Sequence, residues 1–153
     1  QNFVPVYWMA TEDHDFEEIN YFNFRGQKLQ WNRKASGAVG ELQLDGLDSV
    51  FQVFANQLNT STNAETLKQL FKSAYLEHQD LTDAMRYLVN ELFKDQGLVI
   101  VDGNDTELKR LFIPYVEDEL VNQTSFDKVS QANSHLNGLD GNYKIQVNPR
   151  EIN

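Results

Sequence analysis

The chain has 153 residues, with 13 Lys and Arg against 23 Asp and Glu, a formal net charge of -10 and no cysteine. That length holds one ordinary domain with a buried core. The acidic balance argues against nucleic acid, which needs clustered positive charge, and against docking on anionic lipid. Without cysteine, disulfides, thiolate metal ligands and a cysteine nucleophile are excluded within this chain. No apolar run approaches the roughly 20 residues of a membrane span, and no secretory signal pattern opens the chain. A cytoplasmic location is the expectation.

The chain enters an apolar run within two residues of Gln1 and stops at Arg150-Glu151-Ile152-Asn153, straight after a strand-like segment. Natural termini are usually ragged and polar, so both ends read as cut from a longer polypeptide. Truncation would uncover apolar surface, and self-association as a homodimer is the expected consequence.

In chain order, Val6-Tyr7-Trp8-Met9-Ala10 is nearly all apolar and predicts a strand buried on both faces, with Pro5 at its entry. The polar string Thr11-Glu12-Asp13-His14-Asp15 follows, then a short helical piece over residues 16–19. Alternation on either side of Arg25-Gly26-Gln27 predicts a hairpin. Ser36-Gly37-Ala38-Val39-Gly40 reads as a flexible loop. Leu47, Val50, Phe51, Phe54, Ala55 and Leu58 fall at helical spacing, so one stripe faces a core. Thr62 and Glu65 match a capping box ahead of a second helix, and Asp80 can cap a third that ends at Gly97. Leu98-Val99-Ile100-Val101 predicts a second buried strand, followed by the polar turn Asp102-Gly103-Asn104-Asp105, where Asp105 is placed to cap the next helix. Helices over residues 114–122 and 125–136 and a strand over 143–147 complete the reading.

Buried strands alternating with helices imply an α/β fold. The chain is expected to be a single domain over residues 1–153. Residues 1–44 form a strand and hairpin region, 45–96 a helical connecting segment, and 97–153 a strand-helix-strand return to the core.

The strongest chemical candidate is Glu12-Asp13-His14-Asp15. In open α/β sheets ligands bind outside the carboxyl ends of the strands. An imidazole among carboxylates suits acid–base work, or ligation of a metal together with a carboxylate oxygen. The plainer reading is an acidic helix cap with His14 exposed. Gly37 and Gly40 could bring backbone N–H groups to a phosphate or carboxylate, but the loop lacks the lysine of a P-loop, and an ordinary loop is the plainer reading. Asp102, Asn104 and Asp105 resemble the start of a calcium loop, yet Ile113 stands where its closing glutamate is required. Arg150 could clamp a carboxylate or phosphate, or sit in a surface ion pair. His78 and His135 read as solvated, and Trp8 and Trp31 as core or half-buried.

Residues 4–20, from Val4-Pro5-Val6-Tyr7-Trp8-Met9 through Ala10-Thr11-Glu12-Asp13-His14-Asp15 to Phe16-Glu17-Glu18-Ile19-Asn20, closely resemble the signature of the bacillithiol biosynthesis cysteine-adding enzyme family. Gly37-Ala38-Val39-Gly40, Gly97-Leu98-Val99-Ile100-Val101-Asp102 and Val147-Asn148-Pro149-Arg150-Glu151-Ile152-Asn153 match it in order. The family's proteins are several times longer, so the chain is similar to an internal segment. The resemblance implies a Rossmann-like, nucleotidyltransferase-like core with a helical insertion. It implies a ligase that joins L-cysteine to glucosaminyl-malate in the last step of bacillithiol synthesis. It leaves the activating cofactor open, with ATP as the candidate. It places His14, Asp13 and Asp15 as catalytic, and Thr11, Glu12, Gly37, Arg150, Glu151 and Asn153 as substrate-binding, with no resident metal. An incomplete chain would be inactive by itself. The rival expectations are a metal-dependent hydrolase or phosphotransferase built on Glu12, Asp13, His14 and Asp15, and a non-catalytic acidic interaction domain using the Leu47-to-Leu58 stripe.

Overall fold

Two short β-branched and aromatic runs, far apart in sequence, find each other in parallel. In a computed structural model that describes residues 3–139, 141 and 143, β1 (Val6–Met9) pairs with β4 (Val99–Asp102). The register matches Val6 with Val99 and Met9 with Asp102, so the carboxyl ends of both strands lie side by side. The chain forms two compact units, Gln1–Asp105 and Thr106–Asn153.

Within the first unit, α1 (Phe16–Ile19) leads into the antiparallel hairpin of β2 (Tyr21–Phe24) and β3 (Gln27–Gln30). Its turn has two residues, Arg25 and Gly26, both at positive φ (48° and 78°). That geometry matches the right-handed twist of the strands and favours glycine. Helices α2 (Leu47–Gln57), α3 (Thr62–Leu76) and α4 (Leu81–Phe93) then form the connection back to β4. Asp80 caps α4, accepting the Asp83 N–H at 2.9 Å. Gly97 (φ 69°) turns the chain into β4 in the left-handed conformation.

The core has two parts. Phe16 and Trp31 meet edge to face with centroids 5.3 Å apart, and Val39 and Leu42 close the cluster against Leu47 and Val50 of α2. The Trp31 indole N–H donates to the Asp45 carbonyl at 2.9 Å, so the ring carries no unpaired donor inside. Phe54 of α2 packs on Phe24 (5.3 Å), Phe22 (5.9 Å) and Phe71 (5.0 Å), joining the hairpin to α3. Buried Ala74 and Ala84, on α3 and α4, let those helices approach closely.

Several expectations change. The β1 run is not buried on both faces: Met9 is 2% exposed, but Val6 and Trp8 are 58% and 59% exposed, and β4 is also only part-covered. Among the described residues β1 has one strand neighbour, β4, and much of its surface stays open. Of the two tryptophans, Trp31 is therefore core and Trp8 is not. The loop at residues 36–40 ends in a 3-10 turn, Val39–Glu41, with Val39 and Gly40 buried, because Val39 is drawn into the Trp31 cluster. The cap of α3 is Ser61, accepting the Ala64 N–H at 3.3 Å, one residue earlier than the expected box. Asn59 fixes that choice by accepting from both the Ser61 N–H and hydroxyl. His78 is half-buried and stacks on Tyr87, with Nδ1 2.8 Å from the Ser73 carbonyl.

In the second unit, α5 (Thr106–Asn122) begins eight residues before Pro114 and runs through it, and α6 (Thr124–Asn137) follows a left-handed Gln123. Proline's fixed φ is compatible with a helix; its cost is one lost backbone bond and a crowded carbonyl. The strand expected over residues 143–147 lies, beyond Tyr143, outside the described residues.

Trp31→Ala should lower stability by about 3–5 kcal/mol, since it empties the first cluster and orphans the Asp45 carbonyl. Urea denaturation reads this, and an unmoved midpoint would contradict the packing described.

Candidate functional site

The carboxyl ends of β1 and β4 are tied together by side chains as well as by the ladder. The Gly103 N–H donates to the Met9 carbonyl at 2.9 Å, extending the pairing one step past the strands. Thr11 is only 6% exposed, and its hydroxyl turns inward to donate to Asp102 Oδ1. The Asn104 N–H donates to both Thr11 Oγ1 (3.1 Å) and Asp102 Oδ1 (3.0 Å). Asp102 Oδ2 pairs with Arg86 of α4 at 3.1 Å.

Above this base the chain turns outward. Asp13 Oδ1 accepts the backbone N–H groups of His14 (2.6 Å) and Asp15 (3.3 Å). Asp15 occupies the N-cap position of α1 without a side-chain capping bond, so Asp13 organises the helix entry. The His14 side chain is 89% exposed, with Nδ1 3.6 Å from Asp13 Oδ1. Glu12, Asp13, His14 and Asp15 thus project from one short loop at the open end of the parallel pair.

The glycine-containing loop is stitched to the same place. The Val39 N–H donates to the Asp13 carbonyl at 2.7 Å and the Gly40 N–H to the Thr11 carbonyl at 3.0 Å. A Cβ on Gly40 would stand 2.5 Å from Thr11 Cβ and also against Thr82 Oγ1, so no side chain fits there. Gly103 likewise leaves room for the Glu12 carboxylate, whose Cδ would be 2.8 Å from an added Cβ. Asn104 Nδ2 reaches Glu41 at 2.9 Å. Gly37 is exposed at φ 83°, two residues from this seam. Arg150, Glu151 and Asn153 lie outside the described residues.

A cavity of about 630 Å³ reaches the underside of the site, where Ala10, Thr11 and Gly40 share its wall with Trp31, Phe54 and Tyr75. Its lining is mainly apolar. Burial raises the Tyr75 phenol above the ordinary tyrosine value, and Tyr7 adds to the effect.

The sequence singles out Glu12, Asp13, His14 and Asp15 as consecutive residues; the structure attaches Gly40 to them and adds Asp102 and Arg86, to which the sequence assigns no part in this site. Asp102 reads in sequence as part of a polar turn, a failed calcium loop and the end of a matching segment, none of which ties it to Thr11. The available signal was the parallel pairing of two apolar runs, which sets the residues after each run beside one another. Arg86, the one basic residue of α4, then pairs with the half-buried Asp102 carboxylate at 3.1 Å. Among the described residues no group of three or more His, Asp or Glu side chains is arranged to hold a metal ion.

The family model for the bacillithiol biosynthesis BshC N-terminal Rossmann-like domain matches residues 1–153. The chain belongs to the BshC family. Its parallel β1–β4 pair and helical connection are part of that Rossmann-like domain. The chain is similar to a Flavobacterium johnsoniae protein, 55% identical over 99% of this chain and 28% of the relative. It is likewise similar to one from Christiangramia forsetii, 51% identical over 99% of this chain and 29% of the relative. A Staphylococcus saprophyticus relative is 28% identical over 96% of this chain and 30% of its own length. Each bears the name "Putative cysteine ligase BshC". The chain therefore spans a little over a quarter of the length of these BshC relatives.

The Tyr75 shift predicts a pH dependence of stability. The unfolded phenol ionises near pH 10, while the native one stays neutral to higher pH. Above that point the unfolded state binds fewer protons, so stability falls as pH rises. Urea midpoints should drop from about pH 9 to pH 11 more steeply for the wild type than for Tyr75→Phe. Equal slopes would contradict a buried, neutral phenol.

Proposed function

We propose that the full-length BshC protein containing this chain joins L-cysteine to glucosaminyl-malate, the last step of bacillithiol synthesis, and that residues 12–15 and Gly37 line its substrate cleft, with Thr11 at its floor. The observation that carries the reading is the exposed His14, beside Asp13, at the open carboxyl end of a parallel strand pair. That is where α/β sheets bind ligands.

Amide formation asks two things of such a site. The attacking amine must give up a proton, and the cysteine carboxylate must be activated, with ATP as the candidate activator. In this reading the exposed His14 moves a proton or contacts a phosphate. Asp13 and Asp15 offer carboxylates to an ammonium group. Glu12 and the Gly37 backbone extend the wall. Arg150, with Glu151 and Asn153, is proposed to hold a substrate carboxylate or phosphate. Residues 1–153 act in this reading as part of one Rossmann-like domain, with the rest of the active site supplied by the remainder of the protein. The chain alone would then lack ligase activity.

The rival readings have less support. A metal-dependent hydrolase needs converging ligands, and none converge among the described residues. An interaction domain would use the Leu47-to-Leu58 stripe as its contact face, but Phe54 is buried and its stripe neighbours are part-covered by the core. Among the described residues no helix is long and apolar enough to cross a membrane.

Replacing the full-length gene in its host by a His14→Ala version should reduce bacillithiol to the level of the deletion strain, with glucosaminyl-malate accumulating. Turnover should fall by about 100-fold or more with the fold retained. Mass spectrometry of the thiol pool checks this. A wild-type pool in the variant would remove His14 from the mechanism, and a wild-type pool in the deletion would remove the ligase reading.

A further inference from the structure

In the reading above the exposed residues of the loop carry the chemistry, and Asp13 shapes their turn, but that local bonding does not decide where the loop sits. Its base does. Thr11 is buried between the two strand ends, its hydroxyl donating to Asp102 and accepting the Asn104 N–H at 3.1 Å. The Asp102 carboxylate is fully engaged: Oδ1 takes Thr11 and the Asn104 N–H, and Oδ2 takes Arg86 at 3.1 Å. Its side chain is only 13% exposed, whereas Arg86 is 45% exposed. On the far side, the Gly40 N–H fixes the Thr11 carbonyl at 3.0 Å and the Val39 N–H fixes the Asp13 carbonyl at 2.7 Å. The loop is thus held from below by one carboxylate and from the side by two backbone donors.

We propose that Asp102 is a positioning residue for the ligation site, holding Thr11 and through it residues 12–15, and that Arg86 of α4 orients Asp102. The inference rests on the active-site reading above. It assigns the helical connection a part in the chemistry: α4 sets the angle of the carboxylate that sets the loop. A serine can replace Thr11 in this role, because only the hydroxyl is used. Valine keeps the shape and removes the donor. Glutamine at position 86 removes the charge that aligns Asp102 while leaving Thr11 in place.

Steady-state ligation kinetics on the full-length protein test this, with thermal unfolding measured alongside. Thr11→Val should lower kcat by about 100-fold, the penalty typical of a displacement near 1 Å, with KM changed far less. Thr11→Ser should restore kcat to near the wild-type value. Combining Thr11→Val with Asp102→Asn should cost little beyond Thr11→Val alone, because both break one link. If Thr11→Val does not fold, Arg86→Gln serves instead, with a lower kcat that Arg86→Lys partly restores. A fall in Tm with unchanged kcat and KM, failure of serine to rescue, or independent losses in the double variant would overturn the proposal. His14→Ala separates the two levels. Wild-type turnover in that variant rejects the active-site reading itself, whereas an inactive His14→Ala beside a fully active Thr11→Val rejects only the positioning role of Asp102.

Discussion

A threonine hydroxyl at the end of one strand meets an aspartate at the end of its parallel neighbour, and the loop that follows takes its place from that contact. Parallel pairing demands a long crossover, because consecutive strands cannot turn directly into the same direction. Here the crossover carries a hairpin and four α-helices, α1 to α4, and the pairing closes only after all of them. The consequence is that residues distant in sequence, Thr11 and Asp102, become neighbours in a half-buried setting. There a hydrogen bond to a carboxylate contributes more than it would in water. A charged group in that setting needs its remaining oxygen satisfied, and Arg86 supplies the partner.

This arrangement separates two tasks that a sequence motif runs together. Thr11 is buried and structural in its contacts, whereas Glu12, Asp13, His14 and Asp15 are exposed. Asp13 uses one carboxylate oxygen to shape the turn, and the exposed imidazole stands 3.6 Å from that same oxygen. A site built this way presents reactive groups on a loop while fixing the loop to rigid elements, the usual compromise between reach and precision. The cavity beneath it is apolar, so the loop is not anchored through that wall; the anchor is the polar seam at the strand ends.

The parts legible in the sequence are those governed by local rules. The alternation around Arg25 and Gly26 fixes the hairpin, Asp80 is a conspicuous cap, and the stripe from Leu47 to Leu58 finds its core. What the sequence conceals is set by tertiary contact. The run Val6-Tyr7-Trp8-Met9 looks fully buried, but burial depends on neighbours that the strand pair among the described residues does not supply. Ser36-Gly37-Ala38-Val39-Gly40 looks loose, yet Val39 is pulled into the Trp31 cluster and drags two backbone donors onto the site. Pro114 looks like a helix start, but good helix formers on both sides carry α5 through it. The clustering of Glu12 to Asp15 was readable from one segment. Asp102 and Arg86 were not, because their role exists only once two strands are paired.

The central claim is that the joined carboxyl ends of β1 and β4 form the floor of a substrate site. A crystal structure of the full-length protein with glucosaminyl-malate bound tests it most directly. The ligand is expected within hydrogen-bonding distance of the Asp13 or His14 side chain, with the Thr11–Asp102 contact intact beneath it. A ligand seated elsewhere, with residues 12–15 facing bulk solvent, would contradict it.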